Sequence, residues 1–336
     1  MSTLPGPRHT CAFALLFGIF LSMPAAVGIA QQPVAAMFSD DQKREAGLAL
    51  SFLTEDLPAT NGAAFPGRVY LSAGDLERAF DRPEFRPDAA IVPTNTDLMM
   101  TAPAPATQRV LVDRVQKQAD VMRDLDDQIA TRRKQSSASA GEPGLLRIGI
   151  DTFVAQLPRR ADDNQKSRPF PKSACLIATD FAKGGAIDRR ELFAQDRLRK
   201  GIAACLTALD AAGAQTLVLP LMGAASSNTQ ENDVLYEGQR VLKECRLINA
   251  AAGIALGIHD FAPGRRNLHE IGLVQWDQEI VGMFKVPSGS RAARSAQSAY
   301  REYAEQIRQA FRKGLAGEKT TASDVNGSCN AIFNVQ

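Results

Sequence analysis

Short apolar runs typical of buried strands alternate with helical patterns through most of residues 68–286. A strand and the helix that follows it each carry an apolar face that must be buried against another element. Strands that alternate with helices satisfy this by forming a largely parallel sheet with helices on both faces. The predicted fold class is therefore three-layer α/β/α with a mixed, largely parallel central sheet.

The strand predictions are all short and the helix predictions are longer and periodic. The predicted strands are RVYLSA (68–73), AAIVP (89–93), LLRIGI (145–150), SACLIATD (173–180), TLVLP (216–220) and IALGI (254–258), followed by a hairpin of HEIGLVQW (269–276) with EIVGMFKV (279–286). The predicted helices are 111–129, 198–213 with Gly213 at its C-terminal end, 234–253 and 296–311.

The segments outside the alternating region are predicted separately. Residues 31–66 hold one helical pattern, with Ser39 as its candidate N-cap, and a turn-rich link, so they are predicted as a helical extension and linker. The α/β domain is predicted over 67–316 with a C-terminal helix, and 317–336 as a flexible tail.

Residues 1–30 have the layout of a secretory signal peptide. Arg8 precedes the apolar core CAFALLFGIFLSM, and the small residues Gly28 and Ala30 close the segment. An uncleaved membrane anchor is the alternative, because 11–30 carry no charge; Pro24 and the shortness of the apolar core favour cleavage. We therefore expect export, to the periplasm or as a secreted protein, without a membrane contact after cleavage.

Charge and cysteine content exclude some classes of partner. The formal net charge is only +2, so no overall field favours nucleic acid or an anionic membrane. Cys175, Cys205, Cys245 and Cys329 remain after cleavage without a CxxC motif, and we expect them to be buried free thiols. No metal site or cofactor is predicted.

Small and hydrogen-bonding residues follow the predicted strands. In parallel sheets, ligands bind beyond the carboxyl ends of the strands. The residues at these positions are Gly74 and Asp75, Thr94 and Asn95, Thr179 and Asp180, 223–228 (GAASSN), and His259 and Asp260. Carboxylates can accept from an amino group and bare amides can cradle a phosphate, so the pattern favours a polar, phosphate-containing ligand.

Two segments resemble the macro domain family. GDLERAFDRPEFRPDAAIVPTNTDL (74–98) is similar to the opening of a macro domain, and LRKGIAACLTALDAAGAQTLVLPLMGAASS (198–227) to its later helix, strand and glycine loop. Their order and separation fit that family, and the resemblance extends over 68–276. It implies an ADP-ribose-type ligand.

Carried over by position, the resemblance implies a role for several residues. Asp75, with Leu76 beside it, would hydrogen-bond adenine; Asn95 would lie near the distal ribose; and the loop from Gly223 would wrap the diphosphate. The predicted ligand-binding set comprises Asp75, Leu76, Asn95, Thr179, Asp180, Gly223, Ala224, Ser226 and Ser227.

Two departures from the family pattern favour binding without catalysis. MMTAPAPATQ (99–108) stands where the family has a glycine-rich loop, and no acidic residue matches the one that hydrolytic members carry there. An ADP-ribosyl hydrolase, or a scaffold that binds no small molecule, are the alternatives. A serine hydrolase built from His259, Asp260 and Ser226 or Ser227 is a further hypothesis, although no G-x-S-x-G motif is present.

Each candidate also has a purely structural interpretation. Asp75 could be a helix N-cap, Asn95 a turn residue after Pro93, and the Gly223 loop a plain connection. Thr179 and Asp180 could cap the segment that follows.

Overall fold

The computed structural model describes residues 53–57, 67–73, 87–95, 119–136, 151–157, 171–180, 195–222, 234–236, 239–241, 245–275 and 290–333. The chain divides into two compact units, Met1–Gln32 and Pro33–Gln336, and all the described residues belong to the second. The predictions for 1–30, and those for 31–52, lie outside the described residues.

The described elements are nine strands and five α-helices. In chain order they are β1 (Leu53–Asp56), β2 (Arg68–Ala73), β3 (Ala89–Asn95), α1 (Ala119–Ser136), β4 (Thr152–Gln156), β5 (Ser173–Asp180), α2 (Gln195–Ala211), β6 (Thr216–Pro220), β7 (Val234–Tyr236), β8 (Gln239–Val241), α3 (Arg246–Phe261), β9 (Glu270–Gln275), α4 (Ser290–Leu315) and α5 (Ala322–Phe333). A short 3₁₀ turn, Ala262–Gly264, follows α3.

Seven of these strands form one sheet in the order β1-β2-β9-β6-β3-β5-β4. The five inner strands, from β2 to β5, are mutually parallel. The two outer strands are antiparallel to their neighbours, β1 to β2 and β4 to β5. The predicted fold class is confirmed in this respect: an α/β domain with a mixed, largely parallel central sheet.

Strands β3, β5 and β6 read as nearly continuous apolar runs because both of their faces are covered. In β3, Ala89 to Val92 are all fully buried, and β5 is buried from Ala174 to Ala178. The strand predictions for RVYLSA, AAIVP, SACLIATD and TLVLP are confirmed. LLRIGI lies outside the described residues.

Helix α3 corrects two of the predictions. IALGI, predicted as a strand, lies inside this helix, and the helix predicted over 234–253 begins only at Arg246. Residues 234–236 and 239–241 instead pair as the antiparallel hairpin β7–β8. Thirteen of the sixteen residues of α3 are buried. A helix that is apolar all round shows no amphipathic stripe, so a short piece of it cannot be told from a buried strand by periodicity.

The hairpin predicted from HEIGLVQW is wrong. Strand β9 is a central strand, bonded in parallel to β2 on one side and to β6 on the other. Both of its hydrogen-bonding edges are thus occupied, which leaves no edge for an antiparallel partner. Residues 279–286 lie outside the described part of the chain.

Both predicted domain boundaries are also corrected. Leu53–Asp56, placed in a helical extension, is strand β1 of the sheet, so the domain begins before residue 67. The stretch predicted as a flexible tail contains α5, in which Val325 and Cys329 are fully buried. This segment has few apolar residues, so its sequence alone does not indicate a buried helix. Its attachment to the domain through Cys329 depends on a contact that is distant in sequence.

The four cysteines form two disulfides rather than the free thiols that were expected. Cys175 on β5 is bonded to Cys205 on α2, and Cys245, just before α3, to Cys329 on α5. The Cα atoms of the pairs are 5.6 and 5.5 Å apart. The expectation failed because the partners are 30 and 84 residues apart in sequence, and spacing alone cannot pair them.

Candidate functional site

The parallel pairing brings the carboxyl ends of five strands to one edge of the sheet. Along this edge the order of strands is β2, β9, β6, β3 and β5. Adjacent strands lie about 4.8 Å apart, so the end of β6 is one such spacing from the end of β3. The end of β2 is three spacings, or about 14 Å, from the end of β3. We call this the carboxyl edge. The segments predicted to bind ligand all begin at this edge.

Asn95 and Asp180 are brought side by side at the carboxyl edge. They are register partners at the ends of β3 and β5, and the register shifts between Thr94 and Asn95. Thr94 pairs with Ala178, so Thr179 is the extra residue of a β-bulge. Bulges often re-aim side chains beside functional sites. The described part of the chain gives the backbone of these residues, and the side chains of Asn95, Thr179 and Asp180 lie outside it.

The other predicted residues lie outside the described residues, but the strands that lead to them are described. Ala73, the last residue of β2, precedes Asp75 and Leu76 by two and three positions. Strand β6 ends at Pro220, and Leu221 and Met222 after it are buried, which leads to Gly223, Ala224, Ser226 and Ser227.

Thr94 is a residue of this edge that the predicted binding set omitted. The residue is only 2% exposed, and no group of the described residues bonds its hydroxyl oxygen Oγ1. A buried polar group without a partner costs about 1–3 kcal/mol, and such a group calls for an explanation by function or bound solvent. The signal in the sequence was a hydroxyl residue interrupting the apolar run of β3 just before Asn95.

The opposite, amino-terminal edge of the sheet is closed by the chain's own hydrogen bonds. The Asp88 carboxylate accepts from the main-chain N–H groups of Thr216 at 3.0 Å and Gln215 at 3.2 Å. The carbonyl oxygen of Asp88 accepts from the N–H of Lys172 at 2.7 Å. One residue therefore joins the starts of β3, β5 and β6. The carboxylate and the carbonyl oxygen of Asp88 are therefore already hydrogen-bonded within the fold.

A second carboxylate, Asp210, holds the loop that enters β9. It accepts from the N–H groups of three successive residues: Arg266 at 3.0 Å, Asn267 at 2.7 Å and Leu268 at 2.6 Å. Burial lowers the pKa of the nearby Arg265, and the negative charge of Asp210 opposes that shift. The pattern is that of a structural anchor rather than of a substrate site.

His259 and Asp260 do not lie at the end of a strand, which corrects their placement on the rim. Both are in the last turn of α3, before the amino end of β9. His259 Nδ1 is 2.9 Å from the carbonyl oxygen of Leu315, and the Asp260 carboxylate accepts from both Nε and Nη2 of Arg199. Each side chain is engaged with a neighbouring helix, so the pair does not form the base and orienting acid of a serine hydrolase.

None of the helices in the described ranges is long and apolar enough to cross a membrane. Within the same ranges, no three His, Cys, Asp or Glu side chains are grouped as metal ligands would be.

The chain has little sequence similarity to the known proteins with which it was compared. No protein-family model matches it, and no curated protein matches it. Among solved structures, a macrodomain from Oceanobacillus iheyensis is similar in three forms. A point mutant has 8% identity and a TM-score of 0.40, covering 75% of this chain and 97% of that one.

A second point mutant of that macrodomain has 7% identity and a TM-score of 0.36, covering 79% of this chain and 92% of that one. The form with MES bound has 9% identity and a TM-score of 0.34, covering 75% and 96%. These names belong to the family that the two sequence segments resemble.

Proposed function

We propose that this chain is an exported module that binds a nucleotide-like or other phosphorylated ligand of the ADP-ribose type, without catalysing a reaction on it. The ligand would lie at the carboxyl edge. The single observation that supports this most is the convergence there of the strand ends leading to Asp75, Asn95 and Gly223.

The contrast between the two edges of the sheet supports the choice of site. At the amino-terminal edge, Asp88 and Asp210 are saturated by main-chain N–H groups. At the carboxyl edge, the Thr94 hydroxyl is buried and has no hydrogen-bond partner among the described residues. A ligand with several polar groups would satisfy donors and acceptors that the protein itself does not pair.

Each predicted residue has a role in this proposal. Asp75 accepts from the amino group of a base, Asn95 holds a hydroxyl, and the amides of the Gly223 loop surround a phosphate. The absence of an acidic residue within 99–108 removes the water-activating group of the hydrolytic alternative. The roles rest on the family resemblance and on the position of the strands.

Export is part of the proposal and has independent support. The two disulfides fit an oxidising compartment, because such bonds persist outside the cytosol. The signal-like layout of residues 1–30 points the same way.

Titration of ADP-ribose into the purified chain tests the binding proposal. A ligand that binds only the folded state raises the melting temperature. At a concentration one hundred times its Kd, it adds about 2.7 kcal/mol to the free energy of unfolding. Asp75→Ala and Asn95→Ala should reduce this shift while the melting temperature without ligand changes little. Asp126→Ala, an exposed carboxylate on α1, is the matched control and should retain the full shift.

Two results would contradict the proposal. A flat response to ADP-ribose, nucleotides and inorganic phosphate would favour the scaffold without a ligand. Release of ADP-ribose from a modified protein would instead favour the hydrolase.

A further inference from the structure

Strand β4 is the outer strand at the far end of the sheet from β1, and among the described residues its one strand neighbour is β5. In an antiparallel pair, alternate residues direct both main-chain groups toward the partner. The N–H of Leu157, one residue beyond β4, donates to Lys172 O at 2.7 Å, on the β5 side. By this alternation, Thr152, Val154 and Gln156 direct their N–H and C=O groups away from the sheet.

Helix α1 covers one end of that outer edge. The N–H of Gln156 donates to Gln128 Oε1 at 2.9 Å, and Gln128 Nε2 donates to Gln156 O at 2.8 Å. The side-chain amide thus makes both of the bonds that a neighbouring strand would make. Among the described residues, no group bonds the outward N–H and C=O of Val154 or Thr152.

A groove of about 430 Å³ lies along this edge, where no strand of the described residues stands beside it. Its described walls are 152–154 of β4 and the α1 face that carries Asp127, Gln128, Thr131 and Arg132. We call it the edge groove. Its volume is within the range of sites that take small molecules or short peptides.

Arg132 supplies a positive charge to the edge groove. Its Nε atom is buried and has no hydrogen-bond partner in the described structure. Asp127, five residues before it on the same helix, does not pair with it, and the hydroxyl of Thr131 already donates to Asp127 O at 2.9 Å. A guanidinium placed this way matches a carboxylate, which can accept two N–H bonds at once.

We propose that the edge groove binds an extended peptide of a partner protein, which adds to the sheet as a strand beside β4 and places a carboxylate on Arg132. Main-chain bonds to Val154 and Thr152 supply affinity, and Arg132 supplies selectivity, as in other cases of strand addition to a sheet edge. This is independent of the ligand proposed for the carboxyl edge.

The opening fits a short peptide better than a second copy of the chain. Gln128 stands against Gln156, where the paired strand of a symmetric dimer would have to continue. Within the part of the chain that the structure describes, the outer edge of β4 is open before Gln156. An eighth strand of a few residues fits this opening, and an edge as short as this otherwise protects a sheet against self-association.

Panning a phage-displayed library of random heptapeptides against the full chain tests the proposal. Recovered peptides, made synthetically, are then titrated by fluorescence anisotropy against the wild type and variants. We expect them to carry an Asp, a Glu or a free C-terminal carboxylate. Arg132→Gln should weaken binding by about tenfold or more, the range for a hydrogen bond to a charged group. Lys134→Gln, an exposed cation on the same helix, is the matched control and should retain wild-type affinity.

A second variant removes the main-chain donor. Val154→Pro deletes the outward N–H, and proline is tolerated at such a position of an edge strand. Its far-ultraviolet circular dichroism and melting curve check the fold, and its affinity for the peptides should fall by about tenfold or more. N-methylation of single amides along the peptide should abolish binding at alternate positions only, which is the signature of a strand.

Three outcomes of the peptide experiments would overturn the inference. They are a library that yields no peptide above background, peptides whose affinity is the same for wild type, Arg132→Gln and Val154→Pro, and an N-methyl scan without alternation. Self-association of the chain in sedimentation that Val154→Pro abolishes would also overturn it, because the occupant would then be a second copy.

Discussion

Thr321 and Asp324 cap the start of helix α5 by hydrogen bonds in both directions. The N–H of Asp324 donates to Thr321 Oγ1 at 3.1 Å, while the Asp324 carboxylate accepts from the N–H and the hydroxyl of Thr321 at 3.1 and 2.8 Å. The exchange satisfies donors that a helix N-terminus otherwise leaves without a partner. The hydroxyl bond from Thr321, followed by the N–H bond, lowers the pKa of Asp324 below its ordinary value of 3.8.

This cap predicts a loss of stability in acid. Because the pKa of Asp324 is lower in the folded state, its contribution is complete above about pH 3.8 and disappears as the pH falls through the folded value. The melting temperature of the wild type should exceed that of Asp324→Asn by a constant amount at pH 5–7, and the two should converge below about pH 3.8. Melting curves from pH 2 to 7 measure this.

Matched changes at the partner residue control the experiment. Thr321→Ala should cost about 1 kcal/mol, typical of a lost N-cap, and Thr321→Ser should keep both the stability and the acid response. A difference between wild type and Asp324→Asn that does not change between pH 2 and 7 would show that the carboxylate plays no part.

At the scale of elements, α2, α3 and α4 pack closely because glycines lie at their crossings. A Cβ atom on Gly257 of α3 would lie 2.7 Å from Arg199 O and 2.8 Å from Ile202 Cβ, both on α2. A Cβ on Gly314 of α4 would lie 2.6 Å from Ala255 Cβ on α3. These glycines thus allow three helices to approach one another within van der Waals contact.

Gly257→Ala should destabilise the fold in spite of alanine's higher helix propensity. The gain in propensity is about 1 kcal/mol, whereas forcing main chain and Ile202 apart costs typically ~1–3 kcal/mol, and the contact with Arg199 O cannot be relieved by a rotamer change. We expect a lower midpoint in urea unfolding. Gly264→Ala is the control, because no atom of the described residues, apart from its own chain neighbours, lies within 4 Å of its Cβ position. It should change the free energy of unfolding by less than about 0.5 kcal/mol. Equal stability of both variants would contradict this account.

At the scale of the whole molecule, the disulfides join parts of the chain that are distant in sequence. The bond from Cys245 to Cys329 closes a separation of 84 residues and holds α5 beside the start of α3, while that from Cys175 to Cys205 ties the sheet to α2 over 30 residues. Longer closed loops lose more chain entropy in the unfolded state, so the first bond contributes more.

Cys329→Ser should therefore lower the free energy of unfolding by about 2–5 kcal/mol under non-reducing conditions. Cys245→Ser should have the same effect, and the double variant should cost little more, because either single change breaks the same bond. Thiol titration of the denatured, unreduced protein isolated from its own compartment should find no reactive thiol at the four positions. Four reactive thiols would contradict both the pairing and the export proposal.

Local sequence determined the elements whose signal is carried by neighbouring residues. Strand β5 and strand β6 are predictable because their apolar runs are bounded by polar or turn residues. The end of α2 is predictable because glycine is the residue type that most readily adopts the positive φ found at helix ends, and Gly213 adopts φ 84°. The N–H groups of Gly213 and Ala214 donate to the carbonyl oxygens of Asp210 and Leu209. The positions of the polar residues that follow the strands, Asn95 and Asp180 among them, could also be predicted from the local sequence.

Only the tertiary structure decided what depends on partners distant in the chain. Burial on every side makes IALGI a helix rather than a strand, and two parallel neighbours make β9 a central strand instead of half a hairpin. The pairing of the cysteines and the position of Arg132 beside the outer edge of β4 have the same origin. Periodicity records which side of an element is apolar, but the identity of the surface that covers it depends on contacts that no local window contains.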